Sequence, residues 1–473
     1  MMINRQGTKP SSFARHRIFF IILFVAIIFR IAGFIAVGPW DIKIQNTRIL
    51  KYDALMYHSI AQALVKDHSF DSVTTHTVRA PGYPGFIAII YECFGERPEI
   101  VLAFQLVINI ITLIVIYSIS VRLFSKPVGI VSTLLYSIDP FPVFYSLTLL
   151  TETLFTFVFL SAIAFLLFGM MDNKKAYHLI AGLLLGLSML IRPIVQYFPL
   201  MLVFILMFSL RRHISERIKA CGIMIVGVLI VVSPWLCRNY LQYDTLALTT
   251  QKGESILLYN IALMESFRTQ RPFDEVREEF TRTVDKVCSS SGITNPFEIS
   301  NIQLEYANTY LKRNPLLYML IHVRGMINLY ISPDTRQISN LLGIKSYGFP
   351  DGFIAVSSFK EKVIAFFKYK PLFEISMGVY ITCLSIFVYL CTLAGFFMLY
   401  QHKQWLVLIL FLSTLCYFTI LTGPIGYSRY KVPIIPIYTI IGAYGLYSAM
   451  SHTLCRRLRP DSDTHDSAPV CNK

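Results

Sequence analysis

Apolar residues in this chain come in long blocks separated by short basic or polar stretches, and these blocks define its architecture. Runs at 18–37, 99–121, 128–147, 149–170, 177–192, 194–210, 219–236, 374–400, 405–422 and 432–450 are near the length that crosses a hydrocarbon layer. About 20 helical residues cover that ~30 Å core, and a helix satisfies its own backbone groups where water is absent. The pattern predicts an all-α polytopic membrane protein with about ten transmembrane helices.

Two longer interruptions, residues 39–97 and 238–370, break the series of spans. In the first, Asp53, Tyr57, Ala61 and Leu64 recur at helical intervals, so a short helix carries the acid and the tyrosine on one face. Arg79 then precedes Ala80-Pro81-Gly82-Tyr83-Pro84, which predicts a tight bend holding Arg79 and Tyr83 in place. Residues 85–94 are apolar but too short to cross, as expected of an interfacial helix. In the second interruption, Phe273, Val276, Phe280, Val284 and Val287 predict an amphipathic helix lying on the membrane or on the core. The apolar stretch 316–331, with His322, Arg324 and Asn328, competes as an eleventh span. Counting it would move Lys403 and the Arg456 cluster to the other side, so it is placed in the interface.

The charge distribution orients these elements. The chain of 473 residues is 55% hydrophobic, 15% charged and carries a net charge of +15, with a mean hydropathy of +0.56. Its basic residues sit in short loops: Arg122 and Lys126, Lys174 and Lys175, Arg211, Arg212, Arg217 and Lys219, Lys403, and Arg456, Arg457 and Arg459. With Arg5, Lys9, Arg15 and Arg17 before the first run, they place both termini in the cytoplasm and residues 39–97 and 238–370 outside. The positive charge thus sets topology, and no nucleic-acid partner is expected. The first run ends at Gly38-Pro39-Trp40 without a small-residue cleavage site, which favours an uncleaved span in a multi-pass plasma membrane protein. Residues 1–450 form one transmembrane domain and 451–473 a polar cytoplasmic tail. The nine cysteines lack CxxC spacing and serve mostly as small hydrophobes; Cys93 and Cys288 are the pair able to meet on an oxidising outer face.

Charged residues near the outer ends of spans are costly without a role. Glu152, Arg192, Arg238 and Arg429 occupy such ends, and with Asp53 and Arg79 they give two carboxylates and four guanidiniums on one side. That set suits a phosphate leaving group and a hydroxyl to be deprotonated. Each residue also has a plainer reading. Arg192, Arg238 and Lys431 can anchor spans at the interface, Glu152 can cap its helix, and Arg30 can pair with a buried acid. Gly182 and Gly186 fit close helix packing, Asp139 before Pro140 fits a turn, and His58 and His76 lack a third metal ligand.

Taken in order, YDALMYHSIAQAL, RAPGYPGFIA, LLTETLF, GLSMLIRPIVQYFP, SPWLCRNY and YSRYKVPIIPIY resemble the GT-C membrane glycosyltransferases. Within these the chain is similar to the bacterial branch related to aminoarabinose and galacturonic acid lipid A transferases and protein O-mannosyltransferases, over residues 20–450. The resemblance implies a polyprenyl-phosphate sugar donor in the bilayer, a lipid, glycan or protein acceptor, and transfer on the periplasmic face of the inner membrane. It implies Asp53 as general base, Arg79 and Arg429 on the donor phosphate, and Tyr57, Tyr83, Glu152, Arg192 and Arg238 about the substrates. Where many relatives carry two adjacent acids, this chain has Lys51-Tyr52-Asp53, so no metal or other cofactor is expected, a divalent ion being the disfavoured option. The competing readings are an O-antigen ligase or polymerase, and a secondary transporter or lipid flippase with charges near the midplane.

Overall fold

In the computed structural model, which describes residues 12–70, 76–209, 213–345 and 370–457 and isolated positions between 360 and 368, the apolar runs are helices. No strand occurs among the described residues. Among the described residues six helices are long and apolar enough to cross a membrane: Arg17–Val37, Pro98–Leu123, Glu152–Asp172, Ile214–Tyr243, Leu372–Gln401 and Ser428–Ser451. The expected single span at 128–147 is instead a bent pair, Lys126–Ile138 and Pro140–Ser146, meeting at 59°. Asp139 causes the break: its backbone is extended, its Oδ1 accepts the Phe141 N–H at 2.9 Å, and Pro140 has no N–H to continue the ladder. Shorter apolar helices are Lys175–Ile191, Pro193–Phe208, Pro315–Ile331 and Trp405–Leu421. Length and composition therefore identify six crossings, or seven with the bent pair, where the sequence pattern predicts about ten.

Small residues let these helices approach. A Cβ on Gly186 would stand 2.9 Å from the Val228 carbonyl oxygen, and Gly182 backs onto Met224, so Lys175–Ile191 packs backbone to backbone on Ile214–Tyr243. Arg30 is wholly buried in the first helix. Its Nε donates to Asn109 Oδ1 at 2.6 Å and another nitrogen to the Ala26 carbonyl at 3.2 Å, so its partner is an amide and not the acid expected.

Chain order and the ion pairs sort the helix ends into two groups. Arg122 pairs with Asp172 at the end that also carries Lys126, Lys174 and Lys175. Asp53, Arg79, Glu152, Arg192 and Arg429 gather at the other. Residues 1–11 and 458–473, with Arg5, Lys9, Arg459 and most of the expected polar tail, lie outside the described residues, as do the side chains of Arg15, His76, Arg456 and Arg457.

Part of the 238–370 stretch builds a second apolar core from Leu257, Ile261, Val276, Phe280, Val284 and Ile321. The Phe273–Ser290 helix thus lays its apolar stripe on protein. Cys288 is buried there and Cys93 is exposed elsewhere, each a free thiol. The polar residues of Pro315–Ile331 all find partners: His322 hydrogen bonds with the Ile420 carbonyl at 2.9 Å, and Asn328 donates to the Gly426 carbonyl at 3.0 Å. The Arg324 guanidinium lies 4.6 Å over the Phe267 ring. Two residues after Gly426 the chain reaches Ser428, so this helix determines where Arg429 stands.

Candidate active site

Asp53 opens the helix Asp53–Lys66, and the residue before it is strained: Tyr52 has φ 51° and ψ −121°. A side chain with a Cβ adopts that conformation only at a cost, which tertiary contacts must offset. The result turns Tyr52 outward, 90% exposed, and Asp53 inward. Asp53 Oδ1 accepts a guanidinium N–H of Arg79 at 2.7 Å, and its Oδ2 accepts one from Arg429 at 3.0 Å. Arg429 also donates through Nε to Glu152 Oε1 at 3.0 Å, and Arg192 donates to the same oxygen at 3.3 Å. Glu152 is fully buried, its Oε2 has no hydrogen-bond partner among the described residues, and the two arginines on Oε1 make it more than a helix cap.

Arg79 is held from below. Its Nε donates to Met56 Sδ at 3.2 Å, and its guanidinium lies 5.5 Å over the Tyr57 ring. The bend expected after it is the first turn of the helix Gly82–Phe94, with Pro81 already in right-handed helical conformation. Gly82 serves close approach instead: a Cβ there would meet the Leu190 carbonyl oxygen at 2.7 Å. That contact joins the Arg79 segment to the end of Lys175–Ile191, where Arg192 begins the next turn.

Tyr57 and Tyr83 are both buried, with rings edge to face at 4.9 Å. Tyr83 donates its hydroxyl to Gln105 Oε1 at 2.8 Å and has no exposed surface, so it supports the site from beneath. Arg238 is not brought into the cluster. It lies 4.7 Å over Trp235 and lines a separate cavity of about 450 Å³ with His68, Phe70 and Pro81. His58 hydrogen bonds locally, its Nδ1 lying 2.8 Å from the Tyr91 hydroxyl. Lys431 is buried, its ammonium 4.2 Å over the Phe141 ring and so not an interfacial anchor.

Burial alone would raise the Asp53 carboxyl, but the charges of Arg429 and Arg79 outweigh it and hold the group below the usual carboxylate range. Burial also raises Tyr57, against the pull of Arg79. Two further acids face the cluster. Asp334, at φ 47° and ψ 32°, accepts the Tyr145 hydroxyl at 3.3 Å and lies in the field of Arg429 and Lys431; burial raises its carboxyl. Glu254 lies in the field of Arg79, Arg277 and Asp53, and burial raises it despite the two cations. Neither had a signal in the sequence: Asp334 sits in a Ser-Pro-Asp turn and Glu254 in a polar connection without periodicity. Among the described residues no three His, Cys, Asp or Glu side chains gather to hold a metal ion.

The family described as dolichyl-phosphate-mannose-protein mannosyltransferase matches residues 78–237, a stretch with Arg79, Tyr83, Glu152 and Arg192. No curated protein matches the chain. Among solved structures, oligosaccharyltransferase AglB from Archaeoglobus fulgidus, in complex with an inhibitory peptide and a dolichol-phosphate, aligns with TM-score 0.52 at 14% identity over 97% of this chain. The alignment covers 53% of AglB, so the present chain spans about half the length of that enzyme. An Archaeoglobus fulgidus oligosaccharyltransferase tethered to an acceptor peptide with the NVT sequon aligns with TM-score 0.52 at 13% identity, over 95% of this chain and 51% of that one. ArnT from Cupriavidus metallidurans bound to undecaprenyl phosphate gives TM-score 0.40 at 10% identity, over 95% and 82% of the two chains.

Proposed function

We propose that this multi-pass membrane protein, which has the GT-C glycosyltransferase fold, moves a sugar from a polyprenyl-phosphate donor to an acceptor hydroxyl on the outer face. The observation that carries the reading is a carboxylate with an arginine on each oxygen, Arg79–Asp53–Arg429. Guanidiniums match phosphate oxygens as they match carboxylate oxygens. A lipid-linked phosphate entering here competes with Asp53 for both cations. Once they turn to the phosphate, the charges that hold the Asp53 carboxyl low are partly neutralised, and it becomes a better base when the donor is bound.

The step follows. The acceptor oxygen bonds to the anomeric carbon as the bond from that carbon to the phosphate oxygen breaks. The hydroxyl proton passes to Asp53, and the electron pair leaves on the phosphate, whose charge Arg79 and Arg429 neutralise. Attack from the face opposite the leaving group inverts the anomeric centre. Both Asp53 oxygens are on arginines, so the step is written with Asp53 as the base and the two guanidiniums as the groups released to the phosphate.

A monophosphate donor is supported by the match to the dolichyl-phosphate-mannose-protein mannosyltransferase family and by the dolichol-phosphate bound to AglB. Outer-face chemistry is supported by the cluster lying at the end opposite the basic loops. The same placement, at helix ends and joined across the chain, favours transfer over a transporter with charges at the midplane. The test is transfer of labelled hexose or pentose from a panel of polyprenyl-phosphate sugars in membranes, comparing wild type with Asp53→Asn. Label entering lipid, glycan or protein with the wild type and not the variant supports the reading. No use of any monophosphate donor by the wild type overturns it.

A further inference from the structure

Opposite Arg79 stands a wall that no part of the step above uses. The short helix Gln251–Glu254 is tied to the first outer segment, Thr250 donating its N–H to the Thr77 carbonyl at 3.0 Å, two residues before Arg79. Gly253 N–H donates to Ser300 Oγ at 3.2 Å, which holds the helix on Pro296–Arg313. The chain then widens into a π-helical turn, Ser255–Ile261, a geometry that recurs at functional sites. Tyr259 lies in that turn, and Arg277 from Phe273–Ser290 donates to its hydroxyl at 3.1 Å with its guanidinium 4.5 Å over the ring. Glu254, by contrast, is only partly buried and makes no hydrogen bond or ion pair with any described residue.

These groups share a field with the cluster. Glu254 acts on Arg79, Arg277 and Asp53, and Tyr259 is acted on by Arg277, Glu254, Asp53 and Arg79. The wall offers a carboxylate that only accepts, a guanidinium that only donates and has N–H groups beyond the one given to Tyr259, and a phenol that does both. Neighbouring sugar hydroxyls donate and accept at adjacent atoms and match that set. A peptide brings a single acceptor hydroxyl, which leaves the remaining donors and acceptors of this set without adjacent hydroxyl partners.

We infer that Glu254, Tyr259 and Arg277 bind the acceptor, and that the acceptor is a saccharide held through its hydroxyl groups. The assignment rests on the transferase reading. Glu254 orders the acceptor against Asp53, and Arg79 separates the acceptor side from the donor phosphate.

The experiment uses the full chain in proteoliposomes with a polyprenyl-phosphate sugar, octyl glycosides as saccharide probes and a serine-containing peptide as the competing probe. Donor hydrolysis to water is followed in parallel. Expected are transfer to a glycoside and an acceptor KM about tenfold higher in Glu254→Gln, as loss of one charge-assisted hydrogen bond gives, with a clearly smaller change in donor KM and hydrolysis rate. Transfer to the peptide alone, or no transfer to any glycoside from a donor the wild type hydrolyses, overturns the saccharide assignment. Equal shifts in donor and acceptor KM, or none, overturn the role of Glu254. A wild type that consumes no donor at all overturns the transferase reading, and this assignment falls with it.

Discussion

Arg429 and Asp53 stand 376 residues apart in the chain and 3.0 Å apart in space. The same guanidinium reaches Glu152, so one side chain from the start of the last helix joins the first outer segment to the third long helix. A charge network of this kind closes only when the bundle is complete. Site formation and helix packing are therefore one event here, and the variants below read both.

Glu152→Gln should destabilise more than it disturbs shape. Glu152 is fully buried with Arg192 and Arg429 on one oxygen, and its loss leaves two poorly compensated guanidiniums. Breaking a buried pair from one side costs about 3 kcal/mol or more. Thermal unfolding in detergent measures it; a melting temperature equal to wild type would mean that the arginines find water or lipid phosphate instead.

The pH dependence of stability should carry the Asp53 signature. Its folded carboxyl lies below the ordinary range, so the contribution is present above the unfolded value and lost as pH falls through the folded one. Melting temperature should therefore drop on acidification through the carboxylate range, and Asp53→Asn should flatten that slope. An identical slope in the variant would assign the acid transition to other carboxylates.

The helices and the common placement of Asp53, Arg79, Glu152 and Arg429 are legible in the sequence because apolar length and basic-loop alternation are strong, local signals. The acid–arginine partners are legible only as a set. Nothing in residues 52–86 says which oxygen meets which arginine, because that depends on Gly82 closing on Leu190 and on the Pro315–Ile331 helix seating the Arg429 turn. Arg238 illustrates the limit: both it and Arg192 follow an apolar run in the sequence, yet Arg192 caps its helix while the Ile214–Tyr243 helix continues past Arg238, which lies over Trp235. Glu254 and Asp334 come from irregular connections, where neither periodicity nor charge pattern marks a buried acid.

Arg79→Ala should lower transfer by about 10²–10³-fold, the effect of removing one donor to a developing anion. Arg79→Lys should retain part of it, since charge remains but the planar fork is lost. The donor KM and the rate are the readouts. Equal losses in the two variants would point to the packing of Arg79 on Tyr57 and Met56 rather than to phosphate.

Gly82→Ala tests whether the glycine provides approach rather than a bend. Its φ is not left-handed, but an added Cβ would press on the Leu190 carbonyl at 2.7 Å. Helix separation at that point should cost about 1–3 kcal/mol as overpacking. It should also displace Arg79 relative to Arg192, so activity falls along with melting temperature. Stability lost with activity intact would show that the Arg79 segment moves independently of the Lys175–Ile191 helix.

Glu254→Gln should move stability the opposite way from Glu152→Gln. The Glu254 carboxyl is raised by burial that Arg79 and Arg277 do not fully offset, so its ionised form favours the unfolded chain. A raised carboxyl contributes stability that is complete below the unfolded value and lost as pH rises through the folded one. At neutral pH the amide should therefore melt higher than wild type, and the difference should vanish on acidification. A lower melting temperature in Glu254→Gln would instead mark the carboxylate as a structural partner of Arg79 and remove it from the acceptor wall.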